Sequence, residues 1–500
     1  MKRFLWLGFV LFFYLICTGC GDTFRPIIIP NPPVFPNPQA SHTVLSLNYN
    51  EVCSQQLNPC PNFVPLAGTA MVIDVSGDTD VSIANTGITP VHAVQQSASQ
   101  VLVVNQALTG YAPPLDGGCL ITQTPPNPVL NVCPSITKLS YSNTVISSTA
   151  TISLPASSAA NFVATTESSQ AYVLLPNYIP DITNPAAVVP SVEVVNTTSN
   201  NLVTTIPVGH NPIAMSETPD GKKLYVANEG DSTISGFNTL GFSQRVGSPT
   251  ATSSAPIWLL ARSDSQQVYA LEANGALEWL NTTSTAGPDT LTQTSPIISV
   301  PNATRMVYDP NLNRLYIPGG SQVAMVDVSQ SAPSTIADFT IAQIPPSSRS
   351  ASDPCSATAA ATLNTVDVAA LPDGTRAYVG SYYEDAVNNI EYICPQVTVI
   401  NTVNNAVETP AIAIPGFAAY DAFCSPLQSP NAPRFRIMMA AGGDSTRVYL
   451  SSCDGGMVNI IDTSSETYGL NLPAPVSSRT VVGNNGQNPP QNPVFLLAGP

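Results

Sequence analysis

The sequence predicts an all-β chain assembled from repeated four-stranded antiparallel units. Three observations predict it. The first is a phrase, Pro212-Ile-Ala-Met-Ser-Glu-Thr-Pro219-Asp220-Gly221-Lys-Lys-Leu224-Tyr225-Val226-Ala227-Asn228, followed by Thr233-Ile-Ser-Gly-Phe-Asn-Thr239. It reads as strand, Asp-Gly turn, strand, turn, strand. Fainter copies recur at a pitch of several tens of residues, which signals stacked or radially arranged units. The second is composition: the chain is rich in Val, Ile, Thr, Ser, Asn and Pro, and only 10% of its residues are charged. That mixture suits short strands and turns, not long helices. The third lies at the ends. Asn492-Pro-Val-Phe-Leu-Leu-Ala498 reads as a lone first strand, whereas Thr43-Val-Leu-Ser-Leu47, Ala70-Met-Val-Ile-Asp74 and Val81-Ser-Ile-Ala-Asn85 read as a second, third and fourth without a first.

The four strands of each unit are named A to D. Strand A follows a Pro or a small residue, as at 212–216. Strand B is a Tyr-Val segment: Val101-Leu-Val-Val104, Ala171-Tyr-Val-Leu174, Leu224-Tyr-Val-Ala227, Val268-Tyr-Ala-Leu271, Leu315-Tyr-Ile317, Ala377-Tyr-Val379 and Val448-Tyr-Leu450. Strand C ends in Asn or Asp: Val192-Glu-Val-Val-Asn196, Ala276-Leu-Glu-Trp-Leu-Asn281, Val323-Ala-Met-Val-Asp327, Val397-Thr-Val-Ile-Asn401 and Val458-Asn-Ile-Ile-Asp462. Alternating apolar positions bounded by Asn, Asp and Gly mark half-buried antiparallel strands. Asp220-Gly221 and Asp373-Gly374 mark A–B hairpin turns.

These residues resemble the YVTN family of β-propeller repeats. Residues 209–239 match best, through Gly209-His-Asn-Pro212, Pro219-Asp-Gly221 and Leu224-Tyr-Val-Ala-Asn228; residues 371–402 follow, through Leu371-Pro-Asp-Gly374, Ala377-Tyr-Val-Gly380 and Val397-Thr-Val-Ile-Asn-Thr402. The resemblance spans nearly all of the chain beyond its leader, at uneven strength. It implies a single propeller of four-stranded blades and no particular activity. Relatives include bacterial surface and periplasmic proteins and, more distantly, lactonase-like and quinoprotein-like propellers. The end fragments then close the ring, the C-terminal strand pairing with the N-terminal ones and hiding both edges. The blade count is eight, with seven the alternative, because the copy around 91–157 is poorly marked.

The N-terminus reads as a leader. Lys2 and Arg3 precede an apolar run from Phe4 to Ile16, then Cys17-Thr18-Gly19-Cys20. This pattern is that of an export signal, not a spanning helix. It resembles a bacterial lipobox, with lipidation expected at Cys20, although Cys17 stands where Leu is usual. Residues 1–19 are thus assigned to a lipoprotein signal peptide and 20–41 to a Pro-rich extended tether, leaving 42–500 for the propeller. Formal net charge is −16, or −18 once Lys2 and Arg3 are removed. So acidic a chain has no footprint for nucleic acid. Membrane contact is expected through the N-terminal lipid alone. The place expected is the bacterial cell envelope, facing the periplasm or the cell surface, as a monomer.

In a propeller, B–C and D–A connections share one face and A–B and C–D connections the other. The long insertions, 49–66, 105–134, 176–190 and 381–395 between B and C, and 345–364, 417–433 and 484–493 between D and A, all fall on one face. All eight cysteines beyond the leader fall in B–C or D–A connections. An even number in an exported chain favours disulfides. The expected pairs are Cys53–Cys60, Cys119–Cys133, Cys355–Cys394 and Cys424–Cys453, each contributing ~2–4 kcal/mol. A face both elaborated and stapled is the functional clue, because long loops are usually functional or disordered.

Chemistry is sparse. His42, His92 and His210 make an improbable metal triad. Ser135-Ile-Thr-Lys138 matches an acyl-transfer motif by letters, but opens a strand. Asp74, Asp78 and Asp80 lack the calcium-loop pattern and read as a C–D turn. Trp279 and the B-strand tyrosines read as core. No catalytic, cofactor-binding or metal set emerges, and no cofactor is expected. The expected function is a noncatalytic, lipid-anchored binding, scaffold or surface protein with a protein or glycan ligand on the B–C/D–A face. The alternatives are a propeller enzyme resembling lactonases, for which Arg262, Arg305, Arg434 and Asp367 are the candidates, and a structural surface-layer or adhesion protein.

Overall fold

The computed structural model describes residues 43–498 apart from 54–62, 107–133, 143–144, 156–159, 167–168, 179–187, 283–287, 294–297, 358–361, 388–389, 419–423, 425–434 and 474–490. The leader, Cys20 and the tether lie outside the described residues, as do His42 and Arg434.

The described residues form eight antiparallel sheets, each with four main strands in the order A-B-C-D. Blade 1 is composite. Its A strand is Asn492–Ala498, and its B, C and D strands are Thr43–Cys53, Phe63–Asp74 and Thr79–Ile88. The terminal strand pairs with the first, Val44 opposite Ala498 and Leu47 opposite Phe495. Blade 2 occupies the poorly marked stretch, from Pro90–Ser97 to Val145–Ser153. Blades 3 to 8 begin at the A strands Phe162–Ala164, Pro212–Glu217, Pro256–Ala261, Val307–Asp309, Asn364–Ala370 and Ile437–Ala441. Neighbouring A strands touch in seven of the eight blade pairs, and Ser263 meets the Tyr308 hydroxyl at 2.9 Å in the eighth, so A is innermost. D strands such as Asn201–Pro207 are largely exposed. Among the described residues the helical content is three short 3-10 turns.

The repeated words have physical reasons. The B-strand tyrosine packs between blades: Tyr172, Tyr225, Tyr269, Tyr316, Tyr378 and Tyr449 are among the largest fully buried side chains. The Asn or Asp ending strand C accepts the amides two and three residues on, as Asn401 does from Val403 and Asn404 and Asp462 from Ser464 and Ser465. This is an Asx turn, which closes C to D in few residues. The threonine after it donates its hydroxyl back to the A–B turn: Thr239 to Gly221, Thr282 to Ser265, Thr402 to Gly374, Thr463 to Ser445. Those four acceptors have φ between 61° and 69°, the left-handed region that favours Gly.

A further device stitches blade to blade. The residue opening strand B reaches the C–D turn of the following blade. Lys223 donates to the Thr282 carbonyl, Gln267 to Ser331, Arg314 to Thr402 and Arg376 to Thr463. At the closing seam Arg447 donates to Asp78 of blade 1 at 2.8 Å. The sequence motifs weighed for chemistry are absorbed here. Lys138 donates to the Thr197 carbonyl and to Asn200, tying blade 2 to blade 3. Asp74 caps its turn on Ser76. Arg262 bonds the carbonyls of Val328 and Gln330 in blade 6.

At the other end of strand B sits the Asn of the repeat. Asn105 donates to Thr137 and Asn228 to Ser235, both at 2.9 Å across to strand C. Blade 8 reverses the pair, Asn459 donating to Ser452. Blade 5 puts Glu272 and Glu278 in these two places, 0% and 2% exposed. Ser253 donates to one Glu272 oxygen, while Oε1 of Glu272 and Oε2 of Glu278 make no hydrogen bond. Burial, with Glu278 second, pushes the Glu272 carboxyl up to about 7. Burial beside a second carboxyl thus favours the protonated form of Glu272.

Candidate functional site

The A strands carry a β-bulge near their starts in blades 1, 2, 4, 5 and 7, between Pro493 and Phe495, Pro90 and His92, Pro212 and Ala214, Pro256 and Trp258, and Thr365 and Asp367. A bulge re-aims the side chain that follows it. In each case that residue stands opposite the fourth residue of the Tyr-Val segment. The same register position holds Phe495 in blade 1, opposite Leu47, Phe162 in blade 3, opposite Leu174, and Met438 in blade 8, opposite Ser451. In blade 6 the bridge from Ala303 to Gly319 places Arg305 there. Each blade thus contributes one residue to a single layer near the B–C/D–A face: Phe495, His92, Phe162, Ala214, Trp258, Arg305, Asp367 and Met438.

Six of these meet in series. The His92 ring stacks on Phe162 at 4.0 Å and lies 4.8 Å from Phe495. Phe162 meets Trp258 edge-on at 5.9 Å; the small Ala214 between their blades leaves room for that contact. The Arg305 guanidinium sits 5.4 Å from the Trp258 ring and 5.2 Å from Phe435, just before strand A of blade 8. Behind it, Asp367 lies 3.1 Å from Arg305 Nη1. The axial channel is therefore plugged by an aromatic layer holding one ion pair.

The charges in the layer are set by burial. Asp367 is 0% exposed, and its oxygens accept the amides of Val368 at 2.8 Å and Met439 at 2.7 Å. Burial pushes its carboxyl up, against the pull of Arg305 and the two amides. His92 is pushed down to about 3, by loss of water first and by the Arg305 charge second. The Val163 amide points at its Nδ1, which leaves the proton of the neutral ring on Nε2. An imidazole so weakly basic is a poor general base near neutrality, and Asp367 is committed to two backbone amides and the Arg305 charge.

Most of the insertions expected on this face, 107–133, 179–187, 425–434 and 484–490 among them, lie outside the described residues, and two of the described parts are strand: 50–53 and 63–66 extend the blade 1 hairpin. Residues 381–395 are no loop but an extension of the blade 7 hairpin, Arg376–Val387 paired with Ile390–Asn401. Phe417–Ala418 adds a short strand beside it. Cys355 is bonded to Cys394 and Cys424 to Cys453. Arg349, fully buried, donates to the carbonyls of Pro395 and Ile414 and pairs with Asp353 at 3.1 Å, tying the base of the hairpin to the D–A segment. Cys60, Cys119 and Cys133 lie outside the described residues, and of Cys53 only the backbone is described. On the opposite face the A–B turns run five residues or so, as at 218–222.

Arg305 and Asp367, candidates from sequence, are thus brought together; Arg262 stands apart in a blade seam. His92 joins the layer, while His210 is exposed and paired with Asp231 at 2.8 Å. Among the described residues no cluster suited to a metal ion is found. Sequence reasoning missed Phe162, Trp258, Phe435 and Phe495. The available signal was register, each A strand read against the fourth residue of its own Tyr-Val segment.

No family model matches the chain, and no curated protein matches it. Among solved structures, it is similar to apo AztD from Citrobacter koseri, with 9% identity and a TM-score of 0.52 over 92% of this chain and 98% of that one. It is also similar to the periplasmic gluconolactonase PpgL of Pseudomonas aeruginosa, with 11% identity, a TM-score of 0.44 and coverage of 73% and 95%. A functionally unknown protein from Desulfotomaculum acetoxidans matches at 13% identity and 0.45, covering 72% and 94%. At such identities the likeness shows the fold alone: the chain is an eight-bladed β-propeller.

Proposed function

We propose that this chain is a noncatalytic, extracytoplasmic binding protein of the YVTN type, held to an envelope membrane by a lipid on Cys20 and presenting its B–C/D–A face to a macromolecular partner. The observation that carries this reading is the asymmetry of the two faces. The extended hairpin of blade 7, both described disulfides and the buried Arg349 tie lie on one. The other offers tight turns with little area for a specific interface. Disulfides also favour an oxidising compartment. The plug supports a binding role over hydrolysis, since its acid is saturated and its imidazole is too weak a base. A photo-crosslinking residue at Glu384 or Ser350, on the elaborated face, should give discrete adducts in cells, and one at Lys222 or Asn311 should give none. Adducts confined to the latter pair would overturn the face assignment. Palmitate labelling that is equal in the wild type and Cys20→Ala would overturn the anchor.

A further inference from the structure

The axial layer holds a cation in an unusual setting. Arg305 is fixed from three sides, between the rings of Trp258 and Phe435 and against Asp367. Asp367 cannot swing to follow it, because two backbone amides hold both carboxylate oxygens. Yet the guanidinium is under-used. Its Nε and Nη1 are buried without a hydrogen bond, so the ion pair at 3.1 Å is a charge contact, not a well-formed bond. Among the described residues Nη2 makes no hydrogen bond; unlike Nε and Nη1 it is not buried, and the side chain keeps 15% of its surface exposed. With one nitrogen accessible, the guanidinium offers a single charge-assisted donor, which an anionic carboxylate oxygen accepts. The surfaces beside it are apolar and ring-shaped: His92, Phe435 and Phe495 are half-buried, and so are Ile257 and Val366 on adjoining A strands. His92 does not compete for an anion, being neutral.

We infer that the axial mouth is a binding site for a small amphipathic carboxylate, whose flat apolar body lies on the His92, Phe435 and Phe495 rings and whose carboxylate accepts from Nη2 of Arg305. Desolvation by the ring floor strengthens the charge-assisted bond, and the bulged A strands hold the floor rigid, so little ordering entropy is lost on binding. This site stands apart from the partner surface on the rim and does not require it.

The test compares two ligands with one body, naphthalene-2-carboxylate and naphthalene-2-carboxamide, by calorimetric titration of the full chain. The acid should bind at least about tenfold more tightly than the amide. Arg305→Met should bring the two affinities together, and Arg305→Lys should restore part of the difference. Near-ultraviolet dichroism reports whether each variant is folded; if Arg305→Met is not, Arg305→Gln takes its place. Equal affinity for acid and amide in the wild type would overturn the inference. So would a difference that survives loss of Arg305, or the absence of binding by either ligand at millimolar concentration. Rim crosslinks should be unchanged in the Arg305 variants, which separates failure of this site from failure of the partner reading.

Discussion

Glu272→Gln should stabilise the protein at pH 8 and do little at pH 4. Glu272 is 0% exposed and occupies the place that Asn228 holds in blade 4. Its carboxyl is pushed up to about 7, by burial first and by Glu278 second. The sign follows from linkage. A carboxyl with a raised folded pKa contributes stability that is fully present below its ordinary value. That stability is lost as pH rises through the folded pKa, because the unfolded chain releases its proton first. For a shift of this size the loss between about pH 4.5 and 7 is ~3 kcal/mol. A glutamine keeps the Ser253 hydroxyl as a donor and can give its own amide to Glu278, so the variant needs no buried proton. Denaturant unfolding at pH 4 and pH 8 is the assay. The gap between variant and wild type should open with pH, with the variant ahead at pH 8. A variant less stable than wild type at pH 8, or offset equally at both pH values, would refute the reasoning.

Deleting residues 492–498 should remove strand A of blade 1, expose the edge of Thr43–Cys53 and give aggregation or loss of a cooperative melt, read by light scattering during heating. Arg447→Ala removes the ion pair across the closing seam to Asp78 and the one within blade 8 to Asp462; denaturant unfolding should show a loss of about 1–2 kcal/mol, and no loss would mean that these ion pairs do not hold the seam. Ala214→Phe fills the gap where Phe162 meets Trp258 and should cost about 1–3 kcal/mol by overpacking; a neutral result would remove Ala214 from the layer. Cys355→Ser should raise hydrogen exchange in 383–394 relative to the rest of blade 7, since it releases the base of the hairpin.

Strand letters, the B-strand tyrosines, the ring closure and the face bearing the insertions were legible because each rests on local rules. Alternation marks a half-buried strand, Asp-Gly marks a hairpin, and an odd strand at each end must find the other. Loop length and connection parity then assign a face without coordinates. The Asn-Thr word could be read as a strand end, although its two bonds, one to the C–D turn and one to the A–B turn, could not.

The axial layer was not legible. A bulge of one residue reverses which face of a strand a side chain takes, and the A strands mark no bulge in their letters beyond a Pro two residues earlier, which blade 7 lacks. His92, Trp258 and Asp367 therefore looked like unrelated residues in three degenerate strands. Arg305 lies two residues before its strand is assigned, and Phe435 before its own. Sequence fixes what each blade can offer, since a blade is held by neighbours close along the chain. Which offerings meet is decided by closure of the ring. Closure brings Arg305 to Asp367 and Phe495 to His92, across separations no local rule spans. It also removes the water that would otherwise leave His92 basic and Asp367 acidic.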